Sequence, residues 1–136
     1  SPVVLDLPSH WYAVEDAEVE TFRTTVHGYD APVTLELQTF AVSSQEFDPV
    51  IDSAVGQIEK DVRLSSQRPM TSPLGKGRSL RFQAKAEDGT TVSVLVEFYP
   101  CGKSQLLRVR LSGPQDALEE ELDDWPKILR TLTLRK

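Results

Sequence analysis

Alternation with a period of two dominates residues 77–113, GRSLRFQAKAEDGTTVSVLVEFYPCGKSQLLRVRLSG. Leu80, Phe82, Ala84 and Ala86 occupy every second position of the first run, Val92, Val94, Val96 and Phe98 of the second, and Leu107, Val109 and Leu111 of the third. Polar residues fill most of the gaps, among them Arg81, Gln83, Lys85, Ser93, Glu97, Arg108 and Arg110. Such a pattern predicts a three-stranded antiparallel meander with one buried and one wet face. Asp88-Gly89 marks the first hairpin, and Pro100-Cys101-Gly102-Lys103 a longer second one.

The flanking segments predict the elements that complete the fold. Residues 3–7 read as a short strand ended by Pro8, with Trp11 packing over one end of the core. Residues 21–27 and 32–42 read as a hairpin turning at Gly28-Tyr29-Asp30. Ile51, Val55, Ile58 and Val62 recur at helical spacing behind an Asp48 N-cap and Pro49. Residues 63–74, with Pro69 and Pro73, read as a short strand or extended link into the meander, and Gly75-Lys76-Gly77-Arg78 as a turn. Ser112 or Gly113 caps a second helix with Pro114 at its first position and Ala117, Leu118 and Leu122 as its apolar stripe. Pro126 breaks that helix near Asp124-Trp125, and Leu132 and Leu134 begin a last strand. The expectation is a single α+β domain over residues 1–136, an antiparallel β-sheet covered on one face by two main helices.

Composition narrows the function classes. A chain of 136 residues is long enough to bury a core without staples, and its single cysteine excludes an internal disulfide. No apolar run reaches the roughly 18 residues that span a bilayer. No leader segment is apparent at Ser1, so the cytoplasm is the expected compartment, with an exported or periplasmic chain trimmed of its signal as the alternative. The net charge of −6 divides into −10 over residues 1–62, +6 over residues 63–113 and −2 over the remainder. Acidic and basic parts of one domain facing each other account for that split. Nucleic acid is a poor partner for a chain whose first half repels phosphate and whose bases lack interleaved aromatics.

Candidate chemistry is sparse. His10 and His27 are too few for a metal site and read as surface residues. Cys101, in a turn beside Lys103, reads as an exposed thiol for which no base is placed. Glu119, Glu120, Glu121, Asp123 and Asp124 read as the solvated face of a helix, without the two contrasting environments that acid–base catalysis needs. No enzyme, metal or cofactor is expected. The remaining candidate is the outer face of the sheet, where Arg81, Leu95, Tyr99, Leu106, Arg108 and Arg110 would receive a partner. Leu95, Tyr99 and Leu106 there are apolar where a solvated face favours polar residues, and such a patch suits a partner's helix or extended segment.

The order of these features resembles a known family. The opening Leu5-Asp6-Leu7-Pro8-Ser9-His10-Trp11, the strand pair leading into one helix, the meander ending Leu111-Ser112-Gly113-Pro114, and the closing Trp125-Pro126-Lys127-Ile128-Leu129 are similar to the PsbP-like α/β sandwiches. That group includes the DcrB-type bacterial proteins and a Ran-binding nuclear import factor. The resemblance implies a non-enzymatic adaptor or chaperone binding another protein or its hydrophobic helical segment, with a homodimer of paired sheets as one arrangement. Within the DcrB type, the helix over residues 50–62 and the following Ser66-Gln67-Arg68-Pro69 look closest to the Eag chaperones of type VI secretion effectors. The outer face here is more polar than a helix-binding groove. The alternative implied is an envelope or photosystem-type accessory domain, the mature part of an exported lipoprotein.

Overall fold

The computed structural model describes residues 3–14, 20–24, 33–43, 46–58 and 62–134. Four strands open the chain: β1 (Val3–Val4), β2 (Trp11–Val14), β3 (Glu20–Thr24) and β4 (Thr34–Ala41). Helix α1 (Phe47–Ile58) leads into β5 (Arg63–Ser72), β6 (Gly75–Lys85), β7 (Thr91–Pro100) and β8 (Gln105–Pro114). Helices α2 (Gln115–Leu122) and α3 (Trp125–Leu129) precede the closing β9 (Thr133–Leu134). Strands β2 to β8 form one antiparallel sheet of seven, ordered β2-β3-β4-β8-β7-β6-β5, while β1 and β9 pair separately. The fold class is therefore α+β, an antiparallel sheet with short helices packed on it. The turn at residues 28–30, His27 and the end of the helix at residues 59–61 lie outside the described residues.

Several local expectations shift in instructive ways. The segment expected as a short strand or link is a full ten-residue edge strand, β5, and it carries Pro69 where an edge tolerates a missing donor. Its two-residue turn, Pro73-Leu74, pairs Ser72 with Gly75, so Lys76, Gly77 and Arg78 belong to β6 rather than to a turn. Helix α1 begins at Phe47, placing Asp48 and Pro49 inside its first turn. Pro114 is itself the N-cap of α2, and the chain does break before Trp125. Gly89 has φ of 85°, which the Asp-Gly turn between β6 and β7 requires.

The largest difference concerns the faces of the sheet. Leu80 pairs with Val96 and Phe82 with Val94, as the alternation predicts. Across the next pair, however, Val96 faces Arg110, while Leu111, Val109 and Leu107 face Leu95, Glu97 and Tyr99. The apolar residues of β8 thus lie on the opposite face from Val94, Val96 and Phe98. Strand β7 makes this arrangement work because Ser93 to Tyr99 are all buried, so it feeds a core on each side. Leu80, Phe82, Val94, Val96, Phe98 and Leu106 pack with Ile51 and Val55 of α1. Leu35, Leu37, Leu95, Tyr99, Leu107, Val109 and Leu111 pack with Leu118, Trp125 and Ile128. The helices consequently take opposite faces, and neither side of β7 is wet.

Polar links fasten these layers. Arg78 on β6 reaches α1 through Asp52 at 2.7 Å and Asp48 at 3.3 Å. On the other face, Arg81 pairs with Glu119 of α2. Glu121, expected on a solvated face, is 6% exposed, and His10 Nε2 lies 3.1 Å from each of its carboxylate oxygens. That contact ties the loop before β2 to α2, and Trp11 beside it joins the core.

Candidate functional site

The six residues expected to share one outer face do not share one. Arg81, Leu95 and Tyr99 point toward α2 and α3, whereas Leu106, Arg108 and Arg110 lie on the face of α1. Leu95, Tyr99 and Leu106 are core residues, 6%, 0% and 1% exposed. Arg108 and Arg110 sit beyond α1 and are engaged along the sheet: Arg108 donates to Gln38 at 2.7 Å and stacks over Phe40, and Arg110 lies 3.5 Å from Glu36. The apolar patch that would have welcomed a partner helix is interior. Leu95→Asp is accordingly expected to lower the free energy of unfolding by at least about 2 kcal/mol. Chemical denaturation checks this; an exposed Leu95 would give a change under about 0.5 kcal/mol.

A concave site forms instead between the β5 edge and the α2–α3 corner. Three rows of side chains cross β5, β6 and β7 there. Ser66, Arg81 and Leu95 make one row, and Arg68, Ser79 and Glu97 the next. Met70 and Gly77 make the third, with the Tyr99 ring beside Gly77. The small residues Ser66 and Ser79 leave a depression between Arg68, Arg81 and Glu97. Leu122, Trp125 and Pro126 form its far wall, and the enclosed volume is about 330 Å³.

Glu97 is the chemical centre of this cleft. It is 1% exposed, and its Oε1 accepts the Trp125 indole N–H at 2.7 Å and the Tyr99 hydroxyl at 2.9 Å. Tyr99 and Glu97 stand two apart on β7 and so share a face. Burial pushes the Tyr99 hydroxyl far above its ordinary range, and the neighbouring Glu97 charge and hydrogen bond push it further. The phenol therefore remains a donor. Among the described residues Glu97 has no cationic partner, and its second oxygen, Oε2, accepts no hydrogen bond. Arg68, exposed on the edge strand, has no ion pair among the described residues, and its field reaches Tyr99. Arg81 Nε is buried without an acceptor.

A second hollow of about 300 Å³ lies on the other face between α1 and the start of β6. Its guanidinium, Arg78, is already committed to Asp48 and Asp52. Among the described residues no group of three or more His, Cys, Asp or Glu side chains is arranged to hold a metal ion. Cys101, expected as an exposed thiol, is 5% exposed and part of the core beside Leu95 and Tyr99, and burial pushes its thiol up. A thiol-specific disulfide reagent at neutral pH should label the native chain at least about ten-fold more slowly than the denatured one. Equal rates would place Cys101 at the surface.

Sequence reading passed over Ser66 and Ser79 and placed Glu97 only among the polar residues of the meander. The one available signal was a carboxylate inside the longest apolar run, between Val96 and Phe98.

Comparison with known proteins places the fold. No protein-family profile matches the chain, and no curated protein matches it. Solved structures share its architecture at low identity. LpqN of Mycobacterium tuberculosis, a protein involved in cell envelope biogenesis, is 14% identical with a TM-score of 0.75, over 98% of this chain and 83% of that one. The protein of unknown function PA94 of Pseudomonas aeruginosa is 17% identical with a TM-score of 0.65, over 100% and 99%. A Bacteroides thetaiotaomicron protein is 15% identical with a TM-score of 0.64, over 99% of this chain and 46% of its own. The chain thus spans about half the length of the Bacteroides protein. No helix among the described residues is long and apolar enough to cross a membrane.

Proposed function

We propose that this chain is a non-catalytic binding domain, an accessory component of the cell envelope that holds its partner or ligand in the cleft between β5 and the α2–α3 corner. The observation that carries this reading is the state of Glu97. Its Oε1 accepts two hydrogen bonds, from the Tyr99 hydroxyl and the Trp125 indole, which hold it fixed. A carboxylate so placed orients a bound molecule rather than cycling a proton. The free donors of Arg68 and the apolar wall of Leu122 and Trp125 add the mixture of a few aimed polar groups and apolar surface that recognition uses. Similarity in fold to LpqN supports the envelope setting.

An adaptor or chaperone for a protein client, as in the PsbP- and DcrB-like sandwiches, is the second reading. The exposed ten-residue edge of β5 favours it, because a client strand could add there. Clients presenting transmembrane helices, such as type VI secretion effectors, fit less well, since Leu95, Tyr99 and Leu106 are buried.

Ser66→Trp tests the cleft reading directly. Ser66 is exposed on β5, so a tryptophan there fills the depression without entering the core. The immobilised wild-type chain should retain a component of its source organism's envelope extract, and the variant should lose at least about nine-tenths of it. Equal retention by the two would remove the cleft as the site.

A further inference from the structure

Two groups of opposite charge, Glu97 and Arg68, line the cleft. Glu97 offers Oε2 from a buried carboxylate that lacks a cation among the described residues. Arg68, exposed on the edge strand, offers a guanidinium with no ion pair among the described residues, whereas Arg81 is already paired with Glu119 and its Nε is buried. Arg68 and Glu97 are separated by Ser79 on the intervening strand, about 9–10 Å from backbone to backbone. The serine is too short to bridge them. A buried carboxylate is stabilised only when its lost hydration is replaced by a cation and hydrogen bonds, and two neutral donors supply only part of that. What the cleft lacks is a cation for Glu97 and, on the far side of Ser79, an anion for Arg68.

Taking the cleft to be the binding site proposed above, we infer that it binds a small zwitterion, an α-amino acid with an apolar side chain. The ligand ammonium donates to Glu97 Oε2, its carboxylate accepts from Arg68, and its side chain lies against Met70, Leu122 and Trp125. The volume of about 330 Å³ stands near the lower end of small-molecule sites, roughly 300–1,000 Å³, and suits one such molecule. An internal peptide segment carries neither charge on its backbone and leaves both requirements unmet. A simple carboxylate would satisfy Arg68 while facing Glu97 with like charge, and a simple amine would do the reverse.

The experiment is calorimetric titration of the purified chain with L-phenylalanine, 3-phenylpropionate and 2-phenylethylamine, which share a ring and differ in their charges. Phenylalanine is expected to bind at least about ten-fold more tightly than either of the other two. Arg68→Gln should weaken phenylalanine and phenylpropionate by at least about ten-fold and leave phenylethylamine unchanged; Glu97→Gln should weaken the two amines and not the acid. Arg68 is exposed, so its variant remains informative should the Glu97 variant fail to fold. The inference is overturned if phenylalanine gives no heat, if it binds no better than the single-charge compounds, or if Arg68→Gln leaves its affinity unchanged. Failure of phenylalanine while Ser66→Trp still abolishes retention of an envelope component would discard the amino-acid ligand and keep the cleft. Insensitivity to Ser66→Trp would discard both.

Discussion

Trp125→Ala is expected to lower the free energy of unfolding by about 3–5 kcal/mol, read from denaturant or thermal melts. Trp125 is 3% exposed in the core between α3 and the sheet, so truncation leaves a large cavity beside Ile128, Leu129 and Tyr99. It also removes the indole donor from Glu97, leaving a buried carboxylate with Tyr99 alone. Trp125→Phe separates the two contributions, since it keeps most of the packing and loses only the N–H. A cost of about 1–3 kcal/mol for the phenylalanine variant, with the remainder appearing in alanine, is the expected division. A change under about 1 kcal/mol for Trp125→Ala would mean that the indole is not the wall of a packed cleft.

Gly77→Ala is expected to cost about 3 kcal/mol, at the upper end of overpacking effects, or to abolish soluble expression. A Cβ at this position would stand 1.9 Å from the carbonyl oxygen of Phe98 and 2.6 Å from Tyr99 Cδ1. The first contact is with the backbone of an interior strand and cannot be relieved by rotating a side chain. Gly77 lets β6 pass close under the Tyr99 ring. Wild-type stability for Gly77→Ala would show that β6 and β7 are further apart than described.

How far the sequence discloses this arrangement depends on which strand is read. Strand β6 alternates cleanly, so Leu80 and Phe82 disclosed their face. Strand β7, Val92 to Tyr99, is nearly apolar throughout, and strand β8 opens with Leu106 and Leu107 on successive positions. Either register between them satisfies an alternation rule, and a shift of one residue exchanges every side chain between faces. The loop from Cys101 to Ser104, closed by the Cys101 N–H donating to the Gln105 carbonyl at 2.8 Å, sets the register, and its geometry is not written in the pattern. Once the register is fixed, Leu107, Val109 and Leu111 need their own cover, which is why α2 and α3 lie opposite α1.

Glu97 and Glu121 were hidden for a related reason. Each occupies a position where a carboxylate ordinarily meets water, and each is buried only because a distant residue, Trp125 in one case and His10 in the other, supplies a donor. The turns at Asp88-Gly89 and before Trp125, and the apolar stripes of α1 and α2, were legible because they rest on neighbours within a few positions.

The cleft between β5 and the α2–α3 corner is the proposed binding site of this chain. Amide and indole chemical-shift mapping during titration with the retained envelope component addresses that claim most directly. Shifts confined to Ser66, Arg68, Met70, Ser79, Arg81 and the Trp125 indole are the predicted result. Shifts gathered instead on Glu36, Gln38, Phe40, Arg108 and Arg110, across the sheet on the side of α1, would contradict it.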